Sequence, residues 1–418
     1  MVLQTASCGN VAIEFLTILH GMVGFFFCPE GGRAGPLVLD QRRQYRGGVT
    51  SPTDVYAARL DRARALSAQA GLDALIVGPG PDLAYLVGVE GHTIERLTAL
   101  VLPAVGPVAI VVPRMELAKV RSTPVGDLGI RIADWVDGED PYALVTGALP
   151  HPPRRVGISD ALPALHVIPL GDRLGVRLEL ATPVLREGRM LKDATEIAEL
   201  RRAGAAIDAV HRRVPRLLRP GRTEREVGAD IATAIVEEGH RTGEFIIVAS
   251  GPNGADPHHE VSDRVIGEGD IVVVDIGGPM PSGYNSDSTR TYVVGTPDPE
   301  VARRIAVLVQ AQQAAVDAVR PGVTAEQVDA AARQVLADEG LADAFVHRTG
   351  HGIGLSVHEE PYISPGNDLA LREGMAFSIE PGIYFPGAWG ARIEDIVVVT
   401  AHGCESLNNT PHELTPAG

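Results

Sequence analysis

The spacing of apolar residues predicts alternating helices and strands from residue 52 onward. Residues 55–70 repeat apolar positions at helical spacing and stop at Gly71, a typical helix end. Four short apolar runs follow and predict buried strands: 74–77, 98–103, 108–113 and 156–159. This interleaving predicts an α/β domain over residues 52–188, and no charged cluster with catalytic spacing occurs in it.

Residues 189–418 predict a second domain, in which strands alternate with longer helices. Apolar spacing places helices at 194–218, 223–240, 300–319 and 324–339. Thr223 with Glu226, and Thr324 with Gln327, have the spacing of a capping box at a helix start. Apolar strands are predicted at 271–276, 284–294, 375–380 and 391–400.

The first 51 residues lack this alternation. Residues 11–27 are apolar, but Glu14 and His20 interrupt a run that is already short for a membrane span. Residues 1–10 contain no Lys or Arg, so the basic start of a signal peptide is missing. Three interpretations stay open: a start codon assigned too far upstream with a disordered extension, an anchor or signal segment, and a structured extension.

Composition and charge narrow the class of protein. With 418 residues, 45% hydrophobic and 22% charged, the chain has the composition of a two-domain globular protein. Its formal net charge of −16 argues against nucleic acid as a partner, because phosphates require a positive field. Three cysteines without a CxxC pair exclude a disulfide framework and a thiolate zinc site. We therefore expect a cytoplasmic protein without a membrane partner.

The chemistry is concentrated in acids that interrupt apolar strands of the second half. A turn at 278–283 predicts a hairpin that brings two of these acids together. An ionised carboxylate among apolar strands costs several kcal/mol unless it is paired, and only Arg290 and Arg392 lie nearby in sequence. Two divalent cations would balance the four charges. The acids are Asp275, Asp287, Glu380 and Glu394.

A histidine-rich segment, HRTGHGIGLSVH at 347–358, can add a neutral ligand to this set. Its glycines at 350, 352 and 354 predict a bent strand or loop that approaches a crowded site closely. Taken alone, each residue has an ordinary explanation: a turn acid, an Arg392 partner for Glu394, or a core histidine for His351. The combination in the most apolar strands of one domain favours a metal site.

These motifs resemble the metallopeptidases with the pita-bread fold, in the branch of Xaa-Pro aminopeptidase and prolidase, which is related to methionine aminopeptidase and creatinase. The matching segments are VVVDIG, GYNSDSTRT, HRTGHGIG with VHEEP, SIEPGIY and RIEDIVVVT, in the order of that family. The resemblance implies an α/β (α+β) chain, with an N-terminal creatinase/prolidase-like domain followed by a C-terminal pita-bread domain.

The resemblance also implies roles for individual residues. Asp287 and Glu394 would bridge two metal ions, Asp275 would complete one site, and His351 with Glu380 would complete the other. Catalytic roles fall on His258, His358 and Glu380, with Glu380 as the proton shuttle. His347 and Arg392 would line the site, and Arg392 would orient Glu380 or the bridging acids.

The implied activity is cleavage of Xaa-Pro bonds by a metal-bridged hydroxide, in dipeptides or at the N-terminus of longer peptides. The resemblance implies two divalent ions, Mn²⁺ first and Co²⁺, Zn²⁺ or Fe²⁺ as alternatives, with a peptide substrate and a homodimer. The alternatives are a creatinase-like amidinohydrolase, another metal-dependent hydrolase or lyase on the same scaffold, and a non-catalytic binding module.

Overall fold

The computed structural model describes residues 3–7, 12–18, 21–26, 52–91, 95–149 and 152–418. Within the first 50 residues, three strands form an antiparallel sheet, β1 (Leu3–Ser7), β2 (Ala12–Ile18) and β3 (Gly21–Phe26). Residues 27–51 of this N-terminal segment lie outside the described residues. In the described parts of the chain, no helix is both long and apolar enough to cross a membrane.

Residues 52–190 form one six-stranded mixed sheet with helices around it. The strands are β4 (Ala74–Val77), β5 (Ala99–Pro103), β6 (Ala109–Pro113), β7 (Arg131–Trp135), β8 (Val156–Ile158) and β9 (Leu178–Leu180). Their order across the sheet is β7-β6-β5-β4-β8-β9. The helices are α1 (Pro52–Gln69), α2 (Pro81–Val87), α3 (Leu117–Arg121), α4 (Pro141–Gly147), α5 (Ala164–Leu174) and α6 (Thr182–Met190).

The central strand β4 shows why this sheet is buried on both faces. Leu75 and Val77 pack into one hydrophobic cluster, whereas Ile76 between them packs into another. Successive side chains of a strand point to opposite faces, so helices must cover both sides of the sheet. The four predicted strands are present as β4, β5, β6 and β8, and the first predicted helix is α1.

The remainder of the chain contains three further sheets and five helices. A four-stranded sheet holds β10 (Phe245–Ser250), β11 (Ile271–Pro279), β12 (Asn285–Val294) and β20 (Thr415–Ala417). A five-stranded sheet holds β13 (Gly350–Gly352), β14 (Glu359–Ile363), β15 (Ala376–Ile379), β18 (Asp395–Val399) and β19 (Cys404–Ser406). Between β15 and β18 in the sequence, β16 (Gly382–Phe385) pairs with β17 (Trp389–Arg392) as a two-stranded sheet. The helices are α7 (Ala194–His211), α8 (Val214–Leu217), α9 (Glu224–Glu237), α10 (Pro299–Ala318) and α11 (Ala325–Asp338).

Two sequence predictions in this half are wrong in detail. The helix predicted at 194–218 is broken into α7 and α8, because Pro215 has no N–H to continue the hydrogen-bonding ladder. The strand predicted at 391–400 is divided between two sheets, as β17 and β18. Glu394 lies at that division, where its N–H donates to the carbonyl of Thr289 at 3.0 Å. Both predicted capping boxes, at Thr223 and Thr324, are present.

Candidate metal centre

The predicted hairpin is formed by β11 and β12 and carries two of the acids. Asp275 lies in β11 and Asp287 in β12, and the antiparallel register pairs Asp287 with Gly277. The two aspartates are therefore diagonal neighbours across the strands. Gly277 is required there, because a Cβ would overlap the carbonyl oxygen of Ser286. Both aspartates are buried, at 8% and 3% exposure.

The second sheet supplies the other three predicted ligands. His351 lies in β13, Glu380 directly follows β15, and Glu394 precedes β18. The short strand β13 has a bulge after His351, so the prediction of a bent strand is confirmed. A side chain at Gly350 would overlap the carbonyl of Ser378, so glycine allows β13 to approach β15 this closely.

The two sheets bring all five predicted ligands into one cluster. Potential ligand atoms lie within 4.8 Å of one another in each of three sets, and His358 joins one of them. The Nε2 atom of His351 is 3.3 Å from Glu380 Oε1 and 3.5 Å from Asp287 Oδ2. The sets are Asp275, Asp287 and Glu394; His351, Glu380 and Glu394; and Asp287, His351 and His358.

The tautomer of His351 shows what this cluster is suited to bind. Its Nδ1 lies 3.1 Å from the carbonyl of Gly352, which only accepts hydrogen bonds, so Nδ1 carries the proton. Burial, with a smaller contribution from His358, lowers the pKa of His351 to about 3, so the ring is neutral. Its Nε2 lone pair therefore faces carboxylate oxygens, an arrangement that a cation between them would satisfy.

The carboxylates also lack enough neighbouring positive charge to balance them. Burial, followed by the charges of Asp275 and Glu380, raises the pKa of Asp287. Burial, followed by Asp287 and Glu380, raises the pKa of Glu394. Among the described residues, Asp275 Oδ1 and Glu394 Oε1 are buried without any hydrogen-bond partner. Buried orphan oxygens beside a neutral imidazole nitrogen fit a site for divalent cations.

Within the described part of the chain, Arg392 is the one guanidinium that donates to a carboxylate of these four acids. It donates to Asp275 Oδ2 at 2.5 Å, and its Nε donates to Thr289 Oγ1 at 3.3 Å. The Thr289 hydroxyl in turn donates to Glu394 Oε2 at 2.7 Å. Arg392 thus holds Asp275 directly and Glu394 through Thr289. The described contacts of its guanidinium include no hydrogen bond to Glu380.

Tyr384 contacts two of the predicted site residues, and the sequence did not reveal it. Arg392 Nη1 donates to Tyr384 Oη at 2.7 Å, and this hydroxyl lies 2.8 Å from His347 Nε2. His347 Nδ1 faces the carbonyl of Arg348, so Nε2 accepts from the tyrosine. His347 is thereby placed beside the centre. Its neighbour Tyr384 lies in the motif SIEPGIY, but a lone tyrosine at a strand end carries no spacing signal.

The two remaining predicted histidines are exposed, and His258 is close enough for its charge to lower the pKa of His347 and His358. The His358 ring packs edge-to-face on His351, with 4.1 Å between centroids, and burial followed by Arg348 lowers its pKa. His258 is exposed, whereas its neighbour His259 turns away and contacts Glu224 at 2.8 Å. A cavity of about 290 Å³ has His358 on its wall, but none of the five predicted ligands lines it.

Comparison with known proteins gives two matching family models. Residues 198–401 match metallopeptidase family M24, and residues 59–191 match the creatinase/prolidase N-terminal domain. The chain is 63% identical over 361 residues to a probable dipeptidase PepE of Mycobacterium tuberculosis, covering 86% of this chain and 96% of the relative. It is 31% identical to an Xaa-Pro dipeptidase of Pyrococcus horikoshii, covering 82% and 94% respectively.

A solved structure of a similar protein has the same fold as this chain. The crystal structure of dipeptidase PepE from Mycobacterium ulcerans is 63% identical and has a TM-score of 0.84, with 88% of this chain and 99% of that chain covered. The predicted pairing of an N-terminal creatinase/prolidase-like domain with a C-terminal pita-bread domain is confirmed.

Proposed function

The chain belongs to metallopeptidase family M24, and we propose that it is an Xaa-Pro dipeptidase that uses two divalent metal ions. One observation carries the proposal: three buried carboxylates, the partly buried Glu380 and the Nε2 lone pair of His351 converge without enough positive charge to balance them. A non-catalytic module would have no need to maintain so costly a cluster.

The five clustered side chains would hold the ions. When bound, such ions lower the pKa of a water molecule and polarise a carbonyl group. Carboxylate oxygens with one imidazole suit Mn²⁺, Co²⁺, Zn²⁺ and Fe²⁺, and we propose Mn²⁺ first. The proposed ligands are Asp275, Asp287, His351, Glu380 and Glu394.

Glu380 is proposed to accept and return the proton. Its side chain is 15% exposed, against 4% for Asp287 and 2% for Glu394, so it is more open to substrate than either. Burial raises its pKa to about 7, with Arg392 opposing the shift and Asp275 adding to it. This pKa is that of the metal-free protein, and bound cations would lower it, so the proposed role rests on the position and partial exposure of Glu380. The Oγ of Ser378 donates to Glu380 at 3.2 Å and orients it.

The exposed histidines would bind the substrate. We propose that His258 and His358 donate hydrogen bonds to the scissile carbonyl and to the oxyanion that forms from it. His347 and Arg392, joined through Tyr384, would shape the wall beside Asp275. These three groups are buried or nearly so, which fits a wall more than a proton carrier.

The preference for a dipeptide rests on the relatives, whose names are probable dipeptidase and Xaa-Pro dipeptidase. We also propose a homodimer, which sedimentation at micromolar concentration tests, and a cytoplasmic location, for which the low cysteine content is the support.

Hydrolysis of Ala-Pro and of Ala-Pro-Ala, with metal-stripped protein before and after addition of Mn²⁺, tests the activity. We expect metal-dependent cleavage of Ala-Pro and little cleavage of the tripeptide. Release of Ala from the tripeptide would favour an Xaa-Pro aminopeptidase. If neither peptide is cleaved while two ions are bound, the site stands and the substrate is wrong. If no ion binds, the proposed function fails.

A further inference from the structure

Glu224 has more hydrogen-bond donors around it than its place on a helix requires. It is the first residue of α9, directly after the N-cap Thr223, and it is fully buried at 0% exposure. The capping box of this helix uses Glu226, so Glu224 is not needed to close the helix end. Its two oxygens instead accept hydrogen bonds from another segment, from Ser250, Asn253, His259 and Ser262.

These donors lie at both ends and in the middle of the segment 250–262. The N–H and hydroxyl of Ser250 donate to Oε1 at 2.8 and 2.6 Å. The N–H and hydroxyl of Ser262 donate to Oε2 at 3.2 and 2.6 Å. Between them, His259 Nε2 is 2.8 Å from Oε2. One carboxylate therefore closes the whole segment into a loop around itself.

His258 lies on the opposite side of this loop. Its N–H donates to Asp256 Oδ1 at 3.1 Å, and its side chain is exposed while that of His259 points inward to Glu224. The preceding carbonyl, that of Pro257, accepts from Arg392 Nη2 at 3.3 Å, and the same nitrogen donates to Asp275. The loop is thus fixed at two places, to Glu224 beneath it and to the metal centre beside it.

The charge state of Glu224 suits this task. Burial by itself raises the pKa of this carboxyl, but hydrogen bonds from Ser250 and Ser262 outweigh it, so that the net shift is downward. An ionised carboxylate accepts from all of these donors at once, whereas an amide in its place would turn a donor toward one set of them. The loop is therefore matched to a carboxylate and not merely to a polar group of that size.

We propose that Glu224 is a positioning residue for His258: by tying 250, 253, 259 and 262 together, it holds His258 at the exposed side of the metal centre. This inference rests on the proposed function, in which His258 contacts the substrate carbonyl. Glu224 itself is buried away from solvent and acts only through the loop.

A double-mutant cycle with Glu224→Gln and His258→Ala tests the inference in the metal-loaded, full-length protein. We expect Glu224→Gln to lower kcat/KM for Ala-Pro roughly 10- to 100-fold, as for displaced supporting groups elsewhere. In the His258→Ala background the same change should cost less than about 3-fold, because the group that it positions is already missing. An equal loss in both backgrounds would overturn the inference and indicate a general structural effect.

Glu226→Gln is the matched control. It lies on the same helical turn, is exposed, removes the same charge and keeps its hydrogen bond to the N–H of Thr223. It should retain wild-type activity. Should Glu224→Gln fail to fold, His259→Leu removes a single donor and should show a smaller loss with the same dependence on His258.

Hydrogen exchange separates this inference from the proposed function. Peptides spanning 250–262 should exchange faster in Glu224→Gln than in wild type or Glu226→Gln, with bound metal unchanged. Inactivity of the wild-type protein on every peptide would count against the proposed function alone. Faster exchange of the loop in Glu224→Gln would still show that Glu224 holds the segment 250–262 in place. Unchanged exchange, or full activity of Glu224→Gln, would overturn the role of Glu224.

Discussion

Arg392 donates a 2.5 Å hydrogen bond to Oδ2 of Asp275, while Oδ1 of the same carboxylate is buried without a hydrogen-bond partner among the described residues. The arginine thus neutralises part of the site and fixes one proposed ligand, but it leaves an oxygen that a cation could bind. It also donates to Tyr384 and to the carbonyl of Pro257. A single guanidinium therefore connects a proposed metal ligand, the wall of the site and the His258 loop.

Arg392→Lys should weaken metal binding because a lysine cannot make these diverging contacts. Loss of an outer partner of a ligand typically costs 10- to 100-fold in affinity, and we expect roughly that loss here. Titration of metal-stripped protein with Mn²⁺, followed by calorimetry, gives the affinity. Arg372→Lys is the control, since Arg372 pairs with Glu187 at 38% exposure. Unchanged affinity in Arg392→Lys would remove Arg392 from the support of the centre.

Glu380→Gln should abolish most turnover while the substrate still binds. The amide keeps the size of the side chain but cannot accept a proton, and general acid–base groups contribute roughly 10²- to 10⁴-fold to rate. Steady-state kinetics with metal in excess should show a fall in kcat of that order. Glu373→Gln, a change at a nearby exposed glutamate, should leave the rate unaltered. Robust turnover by Glu380→Gln would exclude Glu380 as the proton carrier.

The cluster of proposed ligands could be predicted because the sequence places acidic residues within apolar strands. Asp275 follows four apolar residues in β11, and Glu394 precedes the apolar strand β18. Each acid is therefore predicted to lie in a buried, apolar environment. Which acids approach one another was less visible. The hairpin placed Asp275 near Asp287, but the approach of Glu394 depends on the chain leaving β17 for another sheet, and continuous apolar spacing across 391–400 conceals that division.

The supporting residues could not be found in this way. Tyr384, Thr289 and Ser378 are neutral, and each occurs in a strand where such residues are common. The role of Glu224 was not visible in the sequence, because acidic residues are common in the first turn of a helix, where they interact favourably with the helix dipole. Their importance comes from contacts with residues far along the chain, which local patterns do not encode.

Removal of metal should make stability depend on pH in a way that identifies Glu380. The folded protein raises the pKa of this carboxyl to about 7, mainly by burial, from an ordinary value of 4.5. The stabilising contribution of this raised pKa is fully present below pH 4.5 and is lost as the pH rises through about 7. In chelator, urea unfolding should show wild type losing roughly 1–3 kcal/mol more than Glu380→Gln between about pH 5 and pH 8. Parallel pH profiles for the two proteins would contradict this assignment.

Helix α6 contains two arginines whose ion pairs should differ sharply in their effect on stability. Arg189 is 14% exposed and contacts Asp82 at 3.0 Å and Glu359, both of which are 8% exposed. Arg186 is 47% exposed and contacts Glu360 at 2.9 Å. The glutamates are adjacent in sequence, so the pairs differ chiefly in burial.

Arg189→Met should therefore lower the free energy of unfolding by roughly 3–5 kcal/mol, because it leaves buried carboxylates without their partner. Arg186→Met should cost less than about 1 kcal/mol, as exposed ion pairs usually do. Urea denaturation of both variants, with metal bound, measures the difference. Glu359 also follows His358 directly, so Arg189→Met should lower kcat as well, whereas Arg186→Met should not. Equal stability losses would mean that Lys192, which also contacts Glu359, holds this carboxylate without help from Arg189.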